Sequence, residues 1–402
     1  MHEETAEAPL NGASASRVAN RVQAVVIGAG PAGLAAAAML ERAGVAALVL
    51  ESSAVIGSSW RGRYDRLRLN TVSWISGLPG FPMPLRLGRW VARDDYVAYL
   101  EEYARRRRLR IQFGTAVARI DRDGPTWLVE TSAGVLGTEA VIVATGHDRV
   151  PFTPDWPGRD AFAGELIHAA SYRNPHPFLG RDVLVVACGN SGADIAADLA
   201  RADVGQIWLA TRTPPNVFPR ELVGMPLTPS TLLMERLPAR VFDTIGYALQ
   251  RLIYGDLSRF GLPRAPIGVQ SAMLARGISP VTDDGFIEAV RSGGLEIVPT
   301  IERFDGDVVV LDDGRRLSPD AVLVATGYRR GLEPLVGHLG VLNAGGSPTV
   351  HGAEQDPRAR GLYFIGFQPK LSGQLHDIKG QARGIARAVL KARSLAEGGW
   401  TR

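Results

Sequence analysis

Cysteine is almost missing from this chain: Cys188 stands alone among 402 residues. One cysteine excludes an intramolecular disulfide framework, a Cys-x-x-Cys redox pair and a cysteine-built zinc site, and it fits a reducing compartment. A cytoplasmic location is therefore expected. No apolar run approaches the ~18 residues that a membrane-spanning helix needs, so no transmembrane segment is expected. Charge of one sign is not in large excess either. The 45 basic and 41 acidic residues leave a net charge of +4, too small a bias to imply nucleic acid as a partner. Lysine occurs only at Lys370, Lys379 and Lys391, so nearly all the basic side chains are arginine. Residues 1–20 lack the apolar core of a secretion signal and read as a flexible polar tail. What remains is ordinary globular material, 46% hydrophobic and 21% charged. At ~150 residues per domain it is long enough for two to three domains.

Two segments share one plan, a β-branched run, a tight glycine turn and an alanine-rich helix, which is the opening of a dinucleotide-binding unit. The first is Val25-Val26-Ile27, then Gly28-Ala29-Gly30-Pro31-Ala32-Gly33, then a helix from Leu34. The second is Val183 to Val186, then Ala187-Cys188-Gly189-Asn190-Ser191-Gly192, then a helix from Ala193. Each unit is closed by an apolar strand ending in the same tripeptide, Ala144-Thr145-Gly146 and Ala325-Thr326-Gly327. Before each closing strand lies a hairpin-like stretch, the second with Asp313-Gly314 as its turn.

The fold class expected is α/β, with two Rossmann-like dinucleotide-binding domains, the second inserted in the first. An FAD-binding domain is expected over 21–150 and 325–402, a linker over 151–175, and an NADPH-binding domain over 176–324 with a helical insertion at 229–261. In that insertion Leu233, Leu237, Val241, Ile245, Leu249, Leu252 and Ile253 form a helical stripe, broken near Pro238, that is expected to pack against a neighbour. The strand Leu362 to Ile365 and the helix after it are what remain to complete the first domain.

In the first turn Gly28 permits the bend, Gly30 lets the backbone approach a pyrophosphate and Gly33 lets helix and strand close up. Glu51 ends the next strand, where a carboxylate can accept the adenosine ribose hydroxyls. The second turn carries Ala187 in place of the first glycine. At the position corresponding to Glu51 it offers Thr211 and Arg212 and no acid. A guanidinium pairs with a 2′-phosphate that a carboxylate would repel, so NADPH is favoured over NADH there, with Arg220 as a second candidate. One site of each kind describes a flavoprotein that takes reducing equivalents from NADPH to FAD.

Between the two units, Phe162, Gly164, His168 and Tyr172 form F-x-G-x-x-x-H-x-x-x-Y. With Gly189 to Asp194, Phe218-Pro219-Arg220-Glu221 and Ala325 to Arg329, this chain resembles the flavin-containing monooxygenases, most of all their YUCCA-type, indole-3-pyruvate branch, over about residues 22–390. The resemblance implies a C4a-(hydro)peroxyflavin and transfer of one oxygen atom from O2 to a small organic substrate, an N or S heteroatom, a 2-oxo acid or a ketone. The alternative is a reductase or oxidase that passes electrons to a protein or quinone. The resemblance also marks Asn70 as the catalytic amide beside the flavin. Ser59, Trp60, Arg61, Thr71, Val117 and Gly366 are expected to line the FAD. Asn190, Ser191 and Asp194 are expected at the NADPH turn, and Ser372 to Asp377 at the isoalloxazine end. Phe367 stands where many FAD proteins place an aspartate. A homodimer is compatible with all of this, and no metal is required. His168 is expected to tie the two domains together, and Cys188 to fill a small turn position.

Overall fold

Each β-branched run becomes a central strand. This computed structural model describes residues 18–398, so of the expected polar tail only residues 18–20 are described, and they begin the first strand. Strand β1 (Val18–Ile27) leads into helix α1 (Pro31–Arg42) and returns as the parallel strand β2 (Ala47–Leu50). Proline suits the first helical turn, where its missing N–H would find no partner anyway. The buried run Ala35 to Ala38 keeps the helix close to its neighbours. Helix α2 (Arg93–Arg106) buries Tyr96, Tyr99, Leu100 and Tyr103 and turns Arg105 and Arg106 outward onto Glu102. Strand β3 (Arg110–Gln112) extends the parallel edge. An antiparallel meander of β4 (Val117–Asp123), β5 (Thr126–Thr131) and β6 (Gly134–Val143) then brings β6 in parallel beside β1.

The second sheet collects β7 (Glu165–His168), β8 (Val183–Val186), β9 (Ile207–Ala210), β10 (Glu296–Val298) and β14 (Ala321–Val324). Helix α3 (Asn190–Leu199) joins β8 to β9. Helices α4 (Thr228–Met234) and α5 (Ala239–Tyr254) and a small antiparallel sheet of β11 (Ile301–Asp305), β12 (Val308–Leu311) and β13 (Arg316–Leu317) complete this half. Its parallel strands run in the order β10-β9-β8-β14-β7. Strands β8 and β14 are buried at every position, as strands covered on both faces must be. The chain then returns: β15 (Leu362–Phe364) pairs parallel with β6, Leu362 opposite Val141, and helix α6 (Gln374–Gly398) packs on α1.

The helical insertion departs from expectation in its facing. The period is helical, but α5 buries Phe242, Asp243, Gly246 and Tyr254. Leu237, Val241, Ile245 and Leu252 of the aliphatic stripe are exposed, Leu252 by 82%. The reason is the Asp243 carboxylate, which accepts from the Gln270 N–H at 2.7 Å and the Ser271 hydroxyl at 2.5 Å. Those bonds hold Asp243 inward on the side that carries Phe242, Gly246 and Tyr254, while Ile253 of the stripe packs against the core of this half.

Candidate functional site

The first glycine turn is built for close approach. Gly28 has a φ of 109°, and a Cβ there would lie 2.6 Å from the Ala144 carbonyl oxygen. At Gly33 a Cβ would lie 1.8 Å from the Gly28 oxygen, so helix and turn meet with no room for a side chain. Gly30, by contrast, has nothing within 4 Å of that position, which leaves its backbone N–H end open to a ligand. Pro31 and Ala32 start α1 behind it. The Glu51 carboxylate is buried and accepts from Ala29 N at 2.7 Å and Ser53 N at 2.9 Å, holding the turn from beneath. Thr145, between Ala144 and Gly146, has a buried hydroxyl with no hydrogen-bond partner in the protein. A cradle with an open glycine, a helix N-terminus and an orphaned hydroxyl fits the pyrophosphate end of FAD. Gly366 sits above it, 3.1 Å from the Ala32 methyl at its own Cβ position. Phe367 is buried with Phe364 in the core on the far face of the sheet and offers no carboxylate.

The second turn repeats this geometry with one strained residue. A Cβ at Gly192 would lie 1.9 Å from the Ala187 oxygen and 3.4 Å from the Ala325 methyl, while Gly189 is open. Ala187 itself has a φ of 77°, the left-handed region that costs an L-residue roughly 1–2 kcal/mol, so the missing glycine is tolerated as strain. Arg212 is exposed past the end of β9 and has no ion-pair partner among the described residues, and the Thr211 hydroxyl beside it donates to the Thr213 carbonyl of its own loop. A free guanidinium at this place fits a 2′-phosphate. Cys188 packs against the core of this half, and burial pushes its thiol up to about 12, which removes it as a nucleophile.

Asn70, in the first half, reaches the second turn. Its amide donates to Asn190 Oδ1 at 3.5 Å, and its oxygen accepts from Arg220 at 3.4 Å, both partners belonging to the second half. Arg220 was a second candidate for the 2′-phosphate. It lies instead almost buried in the cleft, paired with Asp284 at 3.3 Å and set over the Trp90 ring. Arg66, Arg68, Trp90, Arg220 and Asp284 line a cleft of about 560 Å³ between the halves. Thr71 bonds Ser76, and Gly373 approaches it so closely that a Cβ would lie 2.4 Å from the Thr71 methyl. The remaining expected FAD contacts divide. Trp60 packs edge-on against Tyr96 at 4.6 Å, Ser59 is exposed, Val117 opens β4 against the first core, and Arg61 is taken up by Glu101 and the Ile56 carbonyl.

The linker motif works as a joint. The His168 ring accepts from Ala170 N at 3.0 Å through Nδ1, which leaves Nε2–H to donate to the Gly327 carbonyl at 3.0 Å. Burial holds its pKa below the usual histidine value, so it serves as a neutral tie to the second Ala-Thr-Gly turn. Tyr172 is buried and donates to Asp198 on α3 at 2.8 Å. Thr326 donates to the Phe152 carbonyl of the linker.

Asp194, expected at the NADPH turn, has a buried carboxylate that accepts from Tyr64 Oη of the first half at 2.5 Å. No spacing in the sequence pairs residues so far apart. Burial pushes its carboxyl up to about 6, from an ordinary 3.8. A folded-state value above the unfolded one means that protonated Asp194 is favoured in the fold. Its stabilisation is full below the unfolded pKa and is lost as pH rises through about 6. Asp194→Asn is therefore expected to gain on the parent chain between pH 4 and pH 7, by ~3 kcal/mol at the upper end. Paired denaturant titrations across that range measure the difference; a gap that does not widen with pH contradicts the assignment.

A fold of two stacked nucleotide units joined by this linker defines a two-dinucleotide flavoprotein, and the comparisons agree. The family described as "Pyridine nucleotide-disulphide oxidoreductase" matches residues 25–229. Cys188 is the single cysteine of the sequence, so the chain holds no intramolecular cysteine pair. "Probable indole-3-pyruvate monooxygenase YUCCA9" of Arabidopsis thaliana is 36% identical, over 90% of this chain and 88% of that one. "Indole-3-pyruvate monooxygenase YUCCA1" of Oryza sativa subsp. japonica is 35% identical, over 90% of this chain and 91% of that one. Among solved structures, the flavin-containing monooxygenase from Stenotrophomonas maltophilia superposes with a TM-score of 0.72 at 26% identity, covering 93% and 99% of the two chains. The chain belongs to the flavin-containing monooxygenase family, in its YUCCA-type branch. It is an FAD-dependent, NADPH-using monooxygenase that transfers one oxygen atom of O2 to a small organic substrate. The reductase alternative is not favoured. No described helix is long and apolar enough to cross a membrane.

Proposed function

We propose that this enzyme oxygenates a 2-oxo acid with an aromatic side chain, releasing CO2 and the carboxylic acid one carbon shorter. The plant relatives carry indole-3-pyruvate in their names, and that supports the choice among the substrates that the motifs leave open. The balance is 2-oxo acid, O2, NADPH and a proton to shortened acid, CO2, NADP+ and water. Bound FAD supplies the redox chemistry, taking electrons from NADPH and passing them to O2.

The chain's own residues arrange and shelter. Gly30 and Thr145 are assigned to the FAD pyrophosphate, and Gly189 and Arg212 to NADPH. The observation that carries the reading is Asn70, an amide of the FAD half held in place by Asn190 and Arg220 of the NADPH half. A neutral amide can donate a hydrogen bond at the reacting centre without giving up a proton. Asn70→Ala is expected to leave NADPH consumption within about twofold but to divert most of it to H2O2. Losing one such donor costs roughly 2–4 kcal/mol in product formation. Peroxide yield per NADPH measures this, and unchanged coupling would remove the role.

A product screen over 2-oxo acids, ketones, thioethers and amines tests the substrate class. CO2 release from aryl 2-oxo acids supports it, and sulfoxide formation without such release contradicts it. The reading carries a cytoplasmic location, and a homodimer is compatible with it.

A further inference from the structure

Between the second half's core and α5 runs a segment that no core holds. From residue 221 to 237 no described side chain is buried, and none belongs to a buried hydrophobic cluster. Yet the segment does not trail into solvent. It starts as a short hairpin, Glu221–Leu222 against Met225–Pro226, continues as α4, and crosses onto the FAD half.

Polar contacts tie it there. Arg89 of the FAD half reaches Glu221 Oε2 and the Gly224 carbonyl, both at 2.7 Å. The Thr228 hydroxyl donates to the Asn70 carbonyl at 3.2 Å, and the Thr231 hydroxyl to the Leu371 carbonyl at 3.2 Å. The Ser372 N–H donates to the Glu235 carboxylate. Helix α4 therefore spans the gap between Asn70 and the loop 371–373, the two places where the FAD half approaches its reacting end.

We propose that residues 221–237 form the cover of the substrate chamber, and that Arg89 is its latch. A cover must open without unfolding what lies beneath it. Segments that do so have few buried apolar contacts and are held by bonds that water can replace. Closed, α4 shields the centre at which Asn70 acts. Open, it admits a substrate too bulky for the gap. Arg89 controls the balance from outside the chamber, because its half-exposed bonds to Glu221 and Gly224 must break for the segment to lift. The proposal rests on the monooxygenase reading and adds the element that decides access.

The test is amide hydrogen exchange on the FAD-loaded chain, comparing the parent with Arg89→Ala and Arg89→Lys. Amides of 221–235 in the parent are expected to exchange at least tenfold faster than those of β8, through local opening. Arg89→Ala is expected to speed them about fivefold more, with β8 and the melting temperature unchanged, and Arg89→Lys to restore part of the protection. Peroxide leakage without substrate should rise in step. Exchange as slow as in β8, or no response to Arg89→Ala in a fully FAD-loaded protein, overturns the cover. A preparation that binds no FAD would instead sink the monooxygenase reading, and its visible spectrum shows that before any exchange is measured.

Discussion

Gly189→Ala is expected to weaken NADPH binding about 10- to 100-fold while leaving the melting temperature and the bound flavin untouched. The backbone at Gly189 is extended, with a φ of −89°, so alanine fits it, and no atom lies within 4 Å of the added methyl. What the methyl occupies is the space a pyrophosphate would use against the N-terminus of α3. Charge-assisted bonds of that kind are worth about 1.5–3 kcal/mol, and each 1.4 kcal/mol is a factor of ten. Gly192→Ala is the contrasting case. Its methyl would lie 1.9 Å from the Ala187 oxygen, so the helix must move away from the turn, and both NADPH affinity and stability should fall. Isothermal titration with NADPH and thermal melts separate the two. Equal stability losses in both variants would mean that Gly189 is structural.

Arg212→Ala is expected to raise KM for NADPH about 10- to 100-fold and to leave KM for NADH nearly unchanged. Arg212 is exposed, free of ion pairs among the described residues, and placed just past β9, where the ribose edge of the nucleotide falls in such units. With no ion pair among the described residues to lose, its removal should cost little stability. Steady-state kinetics with both nucleotides provide the check. An equal loss for NADH would move the 2′-phosphate to another residue. Arg220 is a poor substitute, since Asp284 and Asn70 already engage it.

The parts legible in the sequence are those that local rules govern. Two glycine turns, each between a β-branched run and an alanine-rich helix, announced two nucleotide units, because the bend and the close helix contact allow few other residues. Even the departure at Ala187 was readable as a substitution, though its positive φ was visible only in the structure. Contacts between distant segments were not legible. Nothing in the sequence joins Tyr64 to Asp194, or Arg89 to Glu221 and Gly224. The facing of α5 was only partly legible for the same reason: periodicity gives the helix, but not that Asp243, bonded to Gln270 and Ser271, lies on its inward side. That Arg220, the second candidate for the 2′-phosphate, would lie against Asn70 was not legible either.

The account stands on two opposed cradles through which a nicotinamide serves a flavin. Anaerobic titration of the FAD-reconstituted protein with NADPH tests that most directly. One equivalent of NADPH should bleach the flavin band of each chain, and NADH should do so far more weakly. A protein that stays colourless after reconstitution, or a bound flavin that NADPH does not bleach, would contradict it.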